Sequence, residues 1–219
     1  MSHREVTGLV ARSVEYKESD LILTVLTDGE GKLTVTARGA RRHGSPFAAA
    51  SQVLCCSRMV LSEYRERLTL KEAEVLESFP ALREDLLSVS LACYIADLAQ
   101  TLAPEGDVFH LTVSALLALC GKKRPPALVK AAFEMRALCD GGFDPTLDPA
   151  LPPLGGDLAR AARYIREAPA GKVFSFALGD KPLGEFARLC ERAALAQTER
   201  VLPSLEYYRG LSQRGFSGL

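Results

Sequence analysis

The spacing of apolar positions changes once along this chain, near residue 80, and the change divides it into two differently patterned parts. Before that point apolar residues alternate with polar ones or fall in short β-branched runs, as in half-buried strands. Val6, Leu9, Val10 and Val14 open one such segment, Leu21–Leu26 a second and Leu33–Ala37 a third. Two more follow, from Val53 to Leu61 and from Leu68 to Leu76. The connection 27–32 carries Asp28, Gly29 and Gly31, residues that tolerate the positive φ a tight hairpin requires. Five short strands in so small a span predict a small barrel.

After Phe79-Pro80 the period becomes helical. Leu87, Leu91, Tyr94, Leu98 and Leu102 recur at spacings of three and four, and Leu82, Leu86, Val89, Cys93 and Ala96 cover a second face. A helix apolar on two faces is expected at the centre of a bundle. Further helices are predicted over 108–120 and 127–139, parted by Gly121 and the pair Pro125-Pro126, where glycine ends one helix and proline opens the next. Shorter helices are predicted near 158–167, 183–196 and 203–211. The proline-rich run 143–156 reads as a loop laid across the helical core. The pattern thus predicts an α+β chain, with a five-stranded barrel over residues 1–80 and an all-helical part over 81–219.

Composition narrows the function classes. The 219 residues are 47% apolar and 25% charged, and 27 basic side chains balance 27 acidic ones. Wholesale disorder and a globally basic coat are both excluded. The polar start Met1–Glu5 shows no secretory signal, and the apolar run 86–103 is broken by Ser88, Ser90, Asp97 and Gln100. The expectation is a soluble, cytoplasmic protein without a membrane span. Six cysteines without regular spacing read as free buried thiols.

Catalytic chemistry finds little support. His3, His43 and His110 stand in no recognisable arrangement with a carboxylate and a nucleophile. Gly31-Lys32 fails as a phosphate loop, because Leu26 occupies the place of the first glycine and Leu33 that of the required Ser/Thr. No enzyme and no cofactor are expected.

Charge distribution is more informative than its total. Residues 31–62 contain no Asp or Glu, yet carry Lys32, Arg38, Arg41, Arg42 and Arg58. Arginines beside Gly39 and Gly44 at a strand end suit a flexible loop that neutralises a phosphate backbone. The alternative is a solvated loop balanced in space by Glu63 and Glu66. A second acid-free window, 108–133, holds Lys122, Lys123, Arg124 and Lys130 beside apolar helices, a candidate for an acidic partner. The lysines could equally complement a helix C-terminus. Arg160, Arg163 and Arg166 read as a solvated helix face, and Tyr207-Tyr208 as one surface and one core residue.

From Glu15 through Tyr16-Lys17-Glu18-Ser19-Asp20 to Gly31-Lys32, and on through Ala37-Arg38-Gly39-Ala40-Arg41-Arg42, the chain resembles the RecO family of bacterial DNA repair proteins. Leu68–Glu74 is similar to the end of that family's barrel, and Gly142–Leu147 to the stretch after its third helix. The resemblance implies an OB-fold followed by a helical domain, acting in the RecF pathway of recombinational repair. It also implies binding of single- and double-stranded DNA, annealing of complementary strands, contact with RecR and with the tail of single-stranded DNA-binding protein, and assistance to RecA loading. Nucleoid association would follow.

One departure stands out. Many family members carry two cysteine pairs after the Gly-Phe-x-Pro stretch, similar to a four-thiolate zinc site. This chain has no cysteine between Cys139 and Cys190. The expectation is no structural zinc, with Leu147, Leu151 and Leu154 of the loop 143–156 packing in its place. The combined reading is a non-enzymatic mediator whose Lys32, Arg38, Arg41, Arg42 and Arg58 hold DNA. The rival reading is an OB-fold adaptor that binds a protein and not DNA.

Overall fold

A computed structural model describes residues 2–102, 108–149 and 154–213. The chain divides into two compact units, Met1–Pro80 and Ala81–Leu219. The first unit is a closed barrel of five strands, β1 (Ser2–Tyr16), β2 (Asp20–Thr27), β3 (Gly31–Ala37), β4 (Cys56–Tyr64) and β5 (Arg67–Glu77), in the spatial order β1-β2-β3-β5-β4. Five strands closed in this order are the OB-fold topology. Every ladder is antiparallel except the short parallel contact of β3 with β5, at Val35 with Leu68 and Thr36 with Thr69.

Alternation along the strands fills the barrel. Leu23 and Val25, Val35 and Ala37, Met59 and Leu61, and Leu68 and Leu70 each place two side chains inward, where they meet Val6, Val10 and Ala40. β1 closes the barrel by pairing with β4 through its first half and with β2 through its second, with a bulge between Val10 and Arg12. Gly8 sits where both ladders overlap. A Cβ there would stand 2.4 Å from Val25 Cγ1, so the coiled strand passes its neighbour only because the position has no side chain.

The fourth strand begins at Cys56 rather than Val53. Residues 38–55 form consecutive turns, and Leu54 takes φ 69°. The loop after β3 is also more fixed than its glycines suggest. Gly39 N–H donates to Asp20 Oδ1 at 2.8 Å, and Arg41 N–H to the Ser19 carbonyl at 2.9 Å, so the loop is stapled to the β1–β2 turn. Gly39 is needed there for its φ of 67°.

The second unit contains, among the described residues, α1 (Pro80–Arg83), α2 (Leu86–Leu102), α3 (Phe109–Cys120), α4 (Pro126–Asp140), α5 (Gly156–Glu167), α6 (Asp180–Thr198) and α7 (Pro203–Gln213). The single helix expected from Leu82 onward is two helices. Asp85 breaks it, its carboxylate accepting from Leu87 N–H and Ser88 N–H and from the Ser88 hydroxyl, which caps α2. These hydrogen bonds, that from the Ser88 side chain foremost, hold the Asp85 carboxyl below the usual range. α2 packs against α3, α4 and α7, and α4 against α5 and α6 as well, so these two form the centre. Tyr207 is exposed and Tyr208 buried, as the pattern predicts.

The loop after α4 departs from expectation. Leu147 is 78% exposed and fills no core position, Leu154 is half-buried, and Leu151 lies outside the described residues. The stretch is held instead by polar contacts. Asp144 accepts from Thr146 N–H at 2.9 Å and pairs with Arg166 of α5 at 2.6 Å. Among the described residues no group of three His, Cys, Asp or Glu side chains is placed so that it could hold a metal ion. Cys56 and Cys139, pushed up to about 11 chiefly by burial, are protonated thiols at neutral pH.

Candidate nucleic-acid interface

A groove of about 720 Å³ runs over the barrel at the end where the β1–β2 and β4–β5 turns stand. Its floor comes from β2, β3 and β5, with Ile22, Thr34, Thr36, Leu68 and Thr69. Register explains the grouping: Ile22 pairs with Thr36 across β2–β3, and Thr36 with Thr69 across β3–β5, so one rung spans three strands. The face of strands 2 and 3, flanked by the loops after strands 1 and 4, is where OB-folds receive extended polymers.

Four cations line the groove: Lys17 of the β1–β2 turn, Arg38 and Arg42 of the loop after β3, and Arg67 at the start of β5. Two carboxylates, Asp20 and Glu66, face them. Asp20 already accepts the Gly39 amide, and Arg42 Nε reaches the Ser19 hydroxyl at 3.4 Å. Arg38 and Arg67 have no ion pair among the described residues. Both are exposed. The groove therefore carries a local excess of positive charge in a chain without net charge.

The five basic residues singled out in the sequence part company here. Arg38 and Arg42 line the groove. Arg41 stands beside it but is engaged, Nη1 lying 3.0 Å from Glu15 Oε2 and reaching the Glu18 carbonyl. Arg58 lies on β4 outside the groove, 3.2 Å from Glu5 Oε1 and 2.7 Å from Glu74 Oε2. Its charge is answered by the two strands that flank it, and it does not join the other arginines. Lys32 shares the outer row of β3 with Thr34 and Thr36 but sits at the opposite end of the strand from Arg38, about 20 Å away at roughly 3.3 Å per residue. The expected balancing acid Glu66 does line the groove; Glu63 does not.

Lys17, Arg67 and Tyr16 are groove residues that charge-window reasoning misses. Lys17 lies among Glu15, Glu18 and Asp20, and Arg67 follows Glu66, so neither is in an acid-free run. The signal that finds them is topological: they stand at or beside the two turns that flank the face of strands 2 and 3.

The second basic window also separates. Lys123 and Arg124 line a cleft of about 460 Å³ with Leu117, Ala118 and Phe174, at the C-terminal end of α3. Leu117 is half exposed there. Lys122, with φ 50°, lies near enough to Asp85 to lower its pKa. Lys130 is not a surface cation. It is 4% exposed within α4, with Glu134 Oε1 at 2.6 Å and Glu191 Oε2 at 2.7 Å. Of the α5 arginines, Arg160 pairs with Asp157 and Arg166 with Asp144, on an exposed face as expected.

Comparison with known proteins agrees with this architecture. Residues 1–79 match the family model described as Recombination protein O N terminal, and residues 83–151 that of Recombination protein O C terminal. A protein of Symbiobacterium thermophilum called DNA repair protein RecO is 35% identical over 207 residues, which cover 92% of this chain and 81% of that one. This chain belongs to the RecO family. RecO proteins of Desulforudis audaxviator and Acetivibrio thermocellus are also similar. The first is 36% identical, covering 78% of this chain and 74% of its own; the second is 24% identical, covering 97% and 99%. Membership gives the chain a role in DNA repair and recombination. No helix among the described residues is long and apolar enough to cross a membrane.

Proposed function

We propose that this RecO chain is a non-enzymatic recombination mediator whose barrel groove holds the phosphates of a DNA strand. The observation that carries the reading is the set Lys17, Arg38, Arg42 and Arg67 converging on one groove against Asp20, already hydrogen-bonded, and Glu66. Each phosphate neutralised releases counterions, which supplies affinity without reading sequence. Such neutralisation lowers the repulsion between two strands and so favours annealing. Double-stranded DNA presents the same phosphates and is bound through them.

The cleft at Lys123 and Arg124 is proposed as the seat of an acidic peptide with an apolar end, such as the tail of single-stranded DNA-binding protein. Cations on the rim suit its acids, and Leu117, Ala118 and Phe174 suit an apolar side chain. Lys122 is not among the residues that line the cleft, and Lys130 takes no part. Contact with RecR, assistance to RecA loading and location at the nucleoid follow from the family resemblance.

The test is fluorescence anisotropy of a labelled single strand across a salt series, with the wild type beside Arg38→Glu/Arg42→Glu. The expected result is a slope of about −0.7 per phosphate contacted in the wild type, and a loss of affinity and of slope in the variant. Equal binding by both proteins would favour the adaptor reading, in which the barrel receives a protein.

A further inference from the structure

We infer that Tyr16 is a stacking platform for one base, and that it makes the barrel groove a site for unpaired nucleotides. The inference rests on the reading of the groove as the DNA site and specifies which DNA it takes.

Tyr16 ends β1 directly opposite Asp20, at the turn into β2, and lines the groove as a residue 43% exposed. In the same groove the rung Ile22–Thr36–Thr69, with Leu68, forms a floor of methyl and methylene groups and threonine hydroxyls. Around that floor stand Lys17, Arg38, Arg42 and Arg67. An aromatic ring and a partly apolar floor in one groove, bordered by cations, mirror the two halves of a nucleotide, a flat apolar base and an anionic phosphate. A duplex keeps its base faces in its own stack and offers a protein its phosphates and base edges. An exposed ring therefore adds affinity only for a strand whose bases are free.

The backbone of the two flanking turns is in keeping with this assignment. Lys17 has φ 54°, and Arg65 and Glu66 of the opposite turn have φ 48° and 61°, in the left-handed region that glycine occupies without strain. At Lys17 the chain thus keeps a long cationic side chain at a conformational cost, in the residue that follows the ring. Strain of this kind is concentrated where a side chain serves a site. The Lys17 ammonium lies over the Tyr16 ring, 5.3 Å from its centroid, within the range of a cation–π contact. A stacked nucleotide would find the ring and a phosphate partner already adjacent.

The experiment compares a labelled oligothymidylate with an abasic strand of the same length, which keeps every phosphate and lacks every base. Wild type, Tyr16→Ala, Tyr16→Phe and Arg38→Glu/Arg42→Glu are measured across a salt series, with thermal melts to verify folding. The wild type is expected to bind the abasic strand more weakly than the thymidylate. Tyr16→Ala should lose about 5- to 150-fold on the thymidylate, the size of one lost stack, with no loss on the abasic strand and an unchanged salt slope. Tyr16→Phe should bind like the wild type.

If the wild type does not distinguish the two strands, or Tyr16→Ala weakens both equally, stacking is overturned. In that case a charge-reversed protein that still loses binding leaves the groove as a phosphate site. If charge reversal also leaves binding unchanged, the reading of the groove itself fails.

Discussion

Lys130 and Glu134, one turn apart in α4, meet at 2.6 Å inside the helical core, where both are nearly inaccessible to water. Glu134 Oε1 also accepts from the Tyr94 hydroxyl at 2.6 Å, while its Oε2 has no hydrogen-bond partner. Glu191 of α6 joins Lys130 and reaches Arg209 of α7 at 2.5 Å. Burial alone would pull the Lys130 pKa down, but the two carboxylates outweigh it and hold the ammonium above its usual range.

Removing one partner strands a charge. Lys130→Met is expected to lower the unfolding free energy by about 3–5 kcal/mol, because Glu134 is left buried and uncompensated. The triple variant Tyr94→Phe, Lys130→Met and Glu134→Leu should recover most of that loss, since no buried group then lacks its partner. Urea denaturation of the two variants beside the wild type checks this.

Glu191 makes stability depend on pH in the acid range. Burial pushes its carboxyl up, but the hydrogen bonds from Arg209 and Lys130 prevail and hold it below the ordinary 4.5. Its stabilisation is therefore complete above about 4.5 and is lost as pH falls through the lower folded value. Melting temperatures of wild type and Glu191→Gln, measured from about pH 7 to about pH 3, should converge toward the acid end. Glu134, whose carboxyl burial pushes up, also feels the Glu191 charge, so the difference between the two proteins reports the coupled pair.

The groove and β4 are expected to differ in their effect on DNA. Arg38→Gln and Arg42→Gln should each reduce the salt slope of single-strand binding by about 0.7. Arg58→Gln, at a residue already held by Glu5 and Glu74, should leave the slope unchanged. Anisotropy titrations at several salt concentrations separate the two outcomes.

At the helical cleft, Lys123→Glu/Arg124→Glu should weaken an acidic, apolar-ended peptide by about tenfold or more, the equivalent of ~1.4 kcal/mol. Leu117→Ser, at a half-exposed position of the same cleft, should weaken it with little change in salt dependence. Calorimetric titration of the peptide into each protein measures both effects.

Leu147 is expected to tolerate change. At 78% exposure it supports no core, and Leu147→Ser should alter stability by no more than about 0.5 kcal/mol in thermal or urea melts.

What the chain alone determined is its local periodicity. A half-buried strand writes its own alternation, so Leu23 and Val25 or Met59 and Leu61 announce strands wherever they stand, α2 announces itself by its two apolar faces, and α4 by the prolines that open it and the glycines that end it. Breaks that depend on one cap, such as Asp85 before α2, are hidden, because an aspartate inside a helical period looks like an ordinary surface residue. The candidate groove was legible only in part, for an electrostatic reason. An acid-free window reports which charges are neighbours in the chain, and it found Arg38 and Arg42. Tertiary structure decided which acids fold onto those windows: Glu15 onto Arg41, Glu5 and Glu74 onto Arg58, and Glu191, beside Glu134, onto Lys130. Barrel closure made the opposite selection at Lys17 and Arg67. Acids surround them in sequence, but in the fold they stand at two turns that flank one groove, Lys17 within one and Arg67 at the end of the other.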